Sequence, residues 1–315
     1  MRKIYISLTG GLGNQLFQIA AAMSIDENAE IIAITSSGNP RRTGFYNSHL
    51  EKFNFPERIK FIHYRKNLFI NKTIGYNLRS AIEPKKWETL SLYTKIIRMA
   101  STVILSMYLG KRVHMFVPKN VGFEKTFIKT HSNIFMIGYF QSPNWINKEI
   151  LDQIRKMSIR EEFNDDFFKL REAIIGSSGL IIHIRRGDYR NEPKIGLLSD
   201  KYFGTAIELH MKNFPYKKIW IFSDEIESCL DLIPKRHRSK CTVVTKFMDD
   251  PCVTLKLLTF GKGYILSNSS FSWWGAALRT NREAVVIAPY PWFKEGESPN
   301  GITMIDWVTI PAEWA

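Results

Sequence analysis

Short runs of β-branched and aromatic residues alternate with amphipathic segments along the second half of the chain. The runs are Leu180–Ile184, Lys218–Phe222, Thr242–Lys246, Gly263–Leu266 and Ala284–Ile287. Segments with helical periodicity, such as Lys201–Asn213 and Val253–Phe260, lie between them. Strands that alternate with helices predict a parallel, doubly wound sheet. Ligands bind beyond the carboxyl ends of the strands in such sheets, so the residues directly after each run are the first site candidates.

The first half is regular only near its ends. Lys3–Leu8 predicts a strand, a glycine-rich turn follows, and one apolar face predicts a helix from Asn14 to Asp26. A second strand-like run, Ile134–Ile137, precedes the segment Gly138–Ser142, which could line a ligand-binding cleft; buried aromatic residues are the alternative. The charged stretch Arg160–Asp166 marks the predicted boundary between two domains, residues 1–160 and 161–315.

The length and composition of the chain allow two domains, and the composition gives the protein a net positive charge. The 315 residues are 44% hydrophobic, and 44 Lys and Arg against 30 Asp and Glu leave a net charge of +14. Such an excess favours anionic partners, whether nucleic acid, nucleotides or acidic membranes, without choosing among them. The three cysteines are odd in number and lack CxxC spacing, which argues against a disulfide framework or a zinc site and fits a reducing compartment. No signal peptide or anchor is visible before the first strand, so we expect a cytoplasmic protein.

One apolar segment, Lys95–Arg112, complicates that expectation. It holds about 13 mostly apolar residues between basic ends, fewer than the roughly 20 that span a bilayer. A buried helix is the first interpretation. An interfacial helix with Lys95, Arg98, Lys111 and Arg112 near lipid headgroups is the alternative.

A histidine, two arginines and an aspartate stand together at the end of the run Leu180–Ile184, in the sequence HIRRGDY at His183–Tyr189. The planar fork of arginine binds phosphate through paired, charge-assisted hydrogen bonds, and such a charge could replace a metal ion at a departing diphosphate. The alternative is an internal salt bridge between arginine and aspartate on a solvated loop.

Two later strand ends also carry polar groups. In FSDE at Phe222–Glu225, Asp224 could accept the paired N–H donors of guanine, or it could simply cap a helix. The segment SNSSFSWWGA at Ser267–Ala276 enters a helix whose first turn would cradle phosphate with hydroxyls and backbone N–H groups. A serine cap with Trp273 and Trp274 in the core is the alternative there.

The N-terminal turn GGLGNQLFQ at Gly10–Gln18 begins like a dinucleotide-binding fingerprint. Leu16 stands where the third glycine of GxGxxG belongs, so an NAD site is weakly supported. The glycines permit close approach of a ligand, with Asn14 and Gln15 offering amide hydrogen bonds; a tight turn is the alternative. The pair Asp249-Asp250 lacks DxD spacing and precedes Pro251, so no metal site is assigned.

Taken together, these four motifs closely resemble the α1,2-fucosyltransferases, including the bacterial galactoside 2-α-L-fucosyltransferases of glycosyltransferase family 11. The resemblance extends from Gly10 to the region of Tyr290-Pro291-Trp292. It implies an α/β fold of the GT-B type, in which two Rossmann-like domains face each other across a cleft. It further implies inverting transfer of L-fucose from GDP-β-L-fucose to the 2-hydroxyl of a galactose-terminated oligosaccharide, with no metal or other cofactor.

The resemblance also implies residue roles. By analogy with the related α1,6-fucosyltransferases, Arg185 and Arg186 would hold the diphosphate, and His183 and Asp224 would contact guanosine. Further residues are expected on the ligands: Ser269, Ser270 and Phe271 around the phosphates or fucose, and Gly11, Gly13, Asn14 and Gln15 on the acceptor side. Asp188 is the first candidate for the base that deprotonates the acceptor, followed by Glu192. Asp188 could instead orient an arginine.

Three other functions stay open at this stage. A different GDP-fucose enzyme, of the α1,6 or protein O-linked type, would share the arginine loop. A non-catalytic nucleic-acid-binding protein would use the positive charge, although no recognised nucleic-acid motif is present and we expect no such partner. An NAD-dependent oxidoreductase would need the missing third glycine. If the acceptor is lipid-linked, the basic charge and Lys95–Arg112 would suit peripheral contact with a cytoplasmic membrane face.

Overall fold

The computed structural model describes residues 1–35, 49–63, 72–77, 91–124, 133–159 and 163–315. The chain divides into two compact units. The first comprises Met1–Ser158 with Pro299–Ile302, and the second comprises Ile159–Ser298 with Thr303–Ala315. The return of Pro299–Ile302 to the first unit was not indicated by the sequence.

Among its described residues, the first unit contains a parallel sheet of five strands in the order β3-β2-β1-β5-β4. The strands are β1 (Lys3–Leu8), β2 (Glu30–Thr35), β3 (Ile59–His63), β4 (Val113–Phe116) and β5 (Asn133–Met136). Its helices are α1 (Leu12–Ile25), α2 (Ser91–Leu109) and α3 (Lys148–Lys156), with helical residues at 72–77 and single 3₁₀ turns at His49–Lys52 and Pro143–Trp145. Helix α1 begins two residues before the predicted Asn14 and is almost wholly buried against the sheet.

The second unit contains, within its described residues, a parallel sheet of six strands in the order β11-β10-β9-β6-β7-β8. The strands are β6 (Leu180–Ile184), β7 (Ile219–Ser223), β8 (Cys241–Val243), β9 (Gly263–Ile265), β10 (Val285–Tyr290) and β11 (Val308–Pro311). The helices are α4 (Asp165–Ser177), α5 (Asp200–Asn213), α6 (Ile226–Cys229), α7 (Lys235–Arg238), α8 (Pro251–Leu258) and α9 (Ser270–Ala277), with 3₁₀ turns at Asp188–Asn191 and Leu230–Leu232.

The predicted α/β class with two Rossmann-like units is confirmed. All five strands predicted in the second half exist, and β6 has the predicted bounds because every one of its residues is buried. Strand β8 is shorter than the predicted Thr242–Lys246, since it is an edge strand and Lys246 is ion-paired with Asp166. Strand β6 lies between β9 and β7, so the loops that follow these three strands lie side by side.

A glycine at the start of β9 sets a tight packing contact in the second unit. A Cβ atom on Gly263 would lie 2.2 Å from the Tyr216 hydroxyl and 3.1 Å from Cε1 of His210. We expect Gly263→Ala to lower the free energy of unfolding by about 1–3 kcal/mol, because these rings must shift. Urea denaturation measures the change.

The matched control is Gly176→Ala, at an exposed position in α4 where an added Cβ meets no atom of the described residues within 4 Å. Alanine restricts the unfolded chain and favours the helix, so this variant should gain about 0.5–1 kcal/mol. Equal stabilities for the wild type and Gly263→Ala would show that the contact relaxes without cost.

Helix α2 corrects one prediction. The interpretation of Lys95–Arg112 as a buried helix is wrong, because Met99, Val103 and Met107 of α2 are more than half exposed. Within the part of the chain that is described, no helix combines the length and the apolar character needed to cross a membrane. The interfacial alternative stays a prediction.

Candidate functional site

The carboxyl ends of β6, β7 and β9 bring together the polar segments that the sequence singles out. The hydroxyl of Ser267, after β9, donates to the His183 carbonyl (2.7 Å) and accepts from the Arg185 backbone N–H (2.9 Å). On the other side, Asp224 after β7 accepts from the Arg186 backbone N–H (2.9 Å). The arginine loop is therefore fastened to both neighbouring strand ends.

Arg185 lies between two carboxylates. Its Nη2 is 2.7 Å from Asp188 Oδ1 and its Nη1 is 3.2 Å from Asp224 Oδ2, and its guanidinium lies 5.5 Å from the centre of the Tyr189 ring. Burial opposes the charge, but Asp224 and Asp188 outweigh it and raise the pKa of Arg185. The internal salt bridge considered from the sequence is thus present, and it fixes a permanently charged fork at the strand ends.

Arg186 is placed differently from its neighbour. Its side chain is only 13% exposed, yet its Nε is 3.8 Å from the nearest carboxylate oxygen, on Glu225. Its Nε and Nη1 are buried and make no hydrogen bond within the described structure. Buried guanidinium N–H groups without acceptors are costly, so this side chain is suited to receive an anion.

Glu225 lies 3.8 Å from Arg186, but it is hydrogen-bonded to Arg190 instead. Arg190 donates to Glu225 from Nε (2.9 Å) and from Nη2, which makes a two-pronged pair. Hydrogen bonds from Arg190 and then Ser228 lower the pKa of Glu225 to about 2. Glu225 is shared with Arg190, so it offsets the positive charge of Arg186 only in part and leaves Arg186 able to attract an anionic ligand.

Asp224 has both carboxylate oxygens turned to the arginine loop, and it packs on Gly187. A Cβ atom at Gly187 would lie 2.6 Å from Asp224 Oδ2. The helix-capping interpretation of Asp224 is wrong, because Glu225 precedes α6 and the Ser223 hydroxyl accepts from the Glu225 N–H. Contact between Asp224 and guanine stays a prediction.

His183 is buried on β6, with its ring 5.5 Å from the Phe271 ring centre. Burial, with a contribution from the charge of Arg185, lowers the pKa of His183 to about 3. The imidazole is neutral near pH 7, and its Nδ1 has no hydrogen-bond partner in the described structure. It therefore offers a neutral polar group at the strand end.

This shift predicts a pH dependence of stability. The unfolded chain protonates His183 below about pH 6.5, whereas the folded chain resists protonation until about pH 3. The stabilising contribution is complete above pH 6.5 and is lost as the pH falls towards 3, by up to about 1.4 kcal/mol per pH unit. Urea denaturation at pH 7, 6, 5 and 4 should show a shallower loss for His183→Gln than for the wild type. Parallel pH profiles for the two proteins would refute the assignment.

The segment after β9 forms a capped helix entry. Ser269 caps α9 by accepting from the Phe271 N–H, and the Ser272 hydroxyl donates to the carbonyls of Ser267 and Ser269. Ser270 and Phe271 are half-buried. Trp273 and Trp274 are fully buried, so the serine cap and the tryptophan core are both present. The first N–H groups of a helix have no carbonyl partner within the helix itself. The entry of α9 is therefore compatible with phosphate binding.

Sequence reasoning missed two residues of this site. The Tyr189 hydroxyl donates to the Asn268 carbonyl (3.2 Å), and burial raises the pKa of Tyr189 to about 12. The Asn268 side chain donates to the carbonyls of Ile195 and Gly196. The only sequence evidence for these two residues was their place inside two motifs already noted.

The two candidates for the base differ in their surroundings. Asp188 contacts Arg185, whereas Glu192 is exposed.

The glycine turn of the first unit is held by amide side chains. Gln18 accepts from the Thr9 N–H (3.0 Å) and donates to the Gly138 carbonyl (3.0 Å), while Gln15 donates to the Gly10 carbonyl (2.9 Å). Gly10 has a positive φ of 74°, as a tight turn requires.

Asn14 lies on the same turn and accepts from Gln141 (2.7 Å). Sequence reasoning proposed Asn14 and Gln15, included Gln141 only in the candidate cleft-lining segment Gly138–Ser142, and assigned no role to Gln18. Gly11 is exposed at the start of α1, whereas Gly13 is buried. The tight-turn interpretation is seen, and an acceptor role for this turn stays a prediction.

The acidic pair Asp249-Asp250 belongs to a helix cap. Asp250 accepts from the backbone N–H groups of Cys252 and Val253 at the start of α8. Metal independence of the reaction stays a prediction for experiment.

Comparison with known proteins places this site in context. A family model described as glycosyl transferase family 11 matches residues 3–311. An α-1,2-colitosyltransferase of Escherichia coli is 27% identical over 308 residues, covering 94% of each chain. The O-antigen biosynthesis glycosyltransferase WbnK of Escherichia coli is 23% identical, covering 98% of this chain and 100% of its own.

Solved structures resemble this chain in fold. A crystal structure of NodZ α-1,6-fucosyltransferase soaked with GDP-fucose gives a TM-score of 0.50 at 14% identity, covering 88% of this chain and 92% of its own. The selenomethionine form of fucosyltransferase NodZ from Bradyrhizobium gives a TM-score of 0.50 at 12% identity with the same coverage. At such identities the likeness shows the fold alone.

Proposed function

Because the chain belongs to glycosyl transferase family 11, and is thus a glycosyltransferase, we propose that it transfers L-fucose from GDP-β-L-fucose to the 2-hydroxyl of a terminal galactose, with inversion. The observation that carries the proposal is Arg186, a nearly buried guanidinium with two nitrogens that have no hydrogen-bond acceptor among the described residues. It follows a central strand of a parallel sheet, where nucleotide ligands of such sheets bind. A diphosphate would supply the acceptors that this side chain lacks.

The proposed reaction depends on where positive charge lies in the site. As the bond between the anomeric carbon and the diphosphate oxygen breaks, negative charge grows on the departing GDP. Arg185 and Arg186 and the first turn of α9 would stabilise that charge, which is the role a metal ion fills in other enzymes. Attack by the acceptor hydroxyl from the opposite face converts the β-linked donor into an α-linked product. We therefore propose that no metal is required.

We propose Asp188, and after it Glu192, as the base that takes the acceptor proton. Asp188 also holds Arg185, so its replacement would alter both donor binding and proton transfer. The pH dependence of kcat separates the roles, because removal of the base abolishes the acidic limb of the profile. Asp188→Asn and Glu192→Gln should be compared in this way, and an unchanged acidic limb in both would exclude these two carboxylates.

The named relatives leave two donor sugars to compare. One relative is an α-1,2-colitosyltransferase, which supports the α1,2 linkage. Colitose is L-fucose without its 3-hydroxyl, so a site that binds one could accept the other. The fold neighbour soaked with GDP-fucose supports a GDP-linked donor. GDP-colitose is therefore the second candidate donor.

The decisive assay uses purified protein with EDTA and either GDP-fucose or GDP-colitose. Lactose, N-acetyllactosamine and galactosyl-β1,3-N-acetylglucosamine serve as acceptors; GDP release and the linkage of the product are measured. We expect an α1,2-linked fucoside to form with EDTA present. Preference for GDP-colitose would replace the fucose assignment. Recovery of activity only when Mg²⁺ or Mn²⁺ is added back would refute metal independence.

A further inference from the structure

Helix α2 turns a continuous apolar stripe to the outside of the first unit. Successive members are three or four residues apart and so lie on one face of the helix. They are Leu92 (71% exposed), Ile96 (56%), Met99 (70%), Val103 (56%) and Met107 (77%). We call this set the α2 stripe. Contiguous exposed apolar side chains of this kind mark a surface that meets another apolar phase.

The inward side of α2 shows that this orientation is built in. Ser101 is buried there and accepts a hydrogen bond from Asn77 (3.0 Å), which also donates to the Thr73 carbonyl (2.8 Å). Leu105 adds one fully buried contact to the sheet core. A surface helix of a globular protein normally turns its apolar face inward, and here the hydrogen bond between Asn77 and Ser101 lies on the inner side while the stripe faces out.

The charged residues of the segment 91–112 itself all have one sign. Residues 91–112 include four basic residues and no Asp or Glu. Lys95, Lys111 and Arg112 are exposed, whereas Arg98 is half-buried. Residues 1–158 as a whole carry 23 Lys and Arg against 10 Asp and Glu. Thus 13 of the 14 net positive charges of the chain belong to the first unit.

We propose that α2 docks the protein on an anionic lipid bilayer, with the α2 stripe inserted at the level of the headgroups and Lys95, Lys111 and Arg112 on the lipid phosphates. Apolar side chains on one face together with flanking cations are the features that hold an interfacial helix on anionic lipid. A second copy of the chain is a poorer occupant, because two such helices would bring like charges together. The proposal does not depend on which sugar is transferred.

The test is co-sedimentation of the full chain with vesicles of phosphatidylcholine alone or with 30% phosphatidylglycerol. We expect binding to the anionic vesicles that weakens as NaCl rises from 50 to 500 mM, because the lysines and arginine are screened. Met99→Gln with Met107→Gln should reduce the bound fraction at least fivefold. The matched control, Val285→Gln with Ile305→Gln, replaces two exposed apolar residues of the second unit and should bind like the wild type.

A charge series completes the experiment. Replacing Lys95, Lys111 and Arg112 by Gln should remove the preference for anionic vesicles, whereas replacing the exposed Lys212, Lys217 and Lys262 of the second unit should retain it. Circular dichroism and melting curves check that each variant folds. Equal vesicle binding by the methionine variant and the wild type would overturn the proposal. A wild-type dimer that becomes monomeric in the methionine variant, with no vesicle binding, would also overturn it by identifying a second copy as the occupant.

Discussion

Replacing Arg186 with alanine is expected to lower kcat/KM for sugar transfer by about 10²- to 10³-fold, comparable to the loss of one oxyanion-stabilising donor in other enzymes. The reason is that Arg186 is the guanidinium of the loop whose Nε and Nη1 have no acceptor within the described structure. Its interaction with the ligand would strengthen as charge develops on the diphosphate. Most of the loss should therefore appear in kcat rather than in KM.

The lysine variant separates charge from geometry. Arg186→Lys keeps the positive charge but loses the planar fork, so we expect an intermediate rate, at least tenfold below wild type. The matched control is Arg236→Ala, which removes an exposed arginine paired with Glu208 in the same unit and should retain full activity. Thermal melting verifies that all three variants are folded. Near-normal rates for both Arg186 variants would exclude the proposed role.

The parts of the fold that could be predicted are those where burial leaves one pattern possible. Leu180–Ile184 is apolar along its whole length apart from His183, and a strand buried on both faces of a parallel sheet needs such a run. Helix α1 was placed from its apolar face, although its start at Leu12 depends on Gly11 as the N-cap residue. Strand β11 is absent from the prediction, because Val308–Pro311 is a run of only four residues that ends in proline and lies mostly exposed at a sheet edge.

The orientation of helix α2 and the return of Pro299–Ile302 to the first unit are two features that sequence patterns do not predict. The apolar content of Lys95–Arg112 indicated burial, but periodicity gives only the existence of an apolar face and not the direction in which that face points. The membership of Pro299–Ile302 in the first unit depends on contacts with residues far away in the chain, such as the hydrogen bond from Ser142 to the Asn300 carbonyl (3.4 Å). No local signal encodes such a pairing.

The strand ends that carry the site could be predicted from the sequence, whereas the ion pairs between the side chains at those ends could not. The rule that ligands bind after parallel strands selected the loops of His183, Arg185 and Asp224, which the structure brings together. Which arginine would be paired was undetermined, because Asp224 is distant in sequence from both. The structure assigns two carboxylates to Arg185 and leaves Arg186 with the greater capacity for an anion.

The contact between Gly187 and Asp224 leads to a prediction that links loop geometry to catalysis. A methyl group at Gly187 would lie 2.6 Å from Asp224 Oδ2 and 3.2 Å from its Cγ, so the loop or the carboxylate must move. Asp224 orients Arg185 and accepts from the Arg186 N–H, and displacement of either arginine misplaces the charges around the diphosphate. We expect Gly187→Ala to lower kcat/KM by about 10- to 100-fold, since small misplacements in an active site have costs of this order.

A double-mutant cycle tests that cause. Asp224→Ala alone should also lower kcat/KM, because Arg185 loses a partner, but it removes the two atoms, Oδ2 and Cγ, that would lie too close to the Gly187 methyl. The double variant should therefore be no less active than Asp224→Ala, a strongly non-additive result. Gly176→Ala, where the added methyl meets no atom within 4 Å in the described part of the chain, controls for a generic effect of alanine. If the two losses instead multiply, Gly187 acts through something other than Asp224, and the arginine loop does not depend on that close contact.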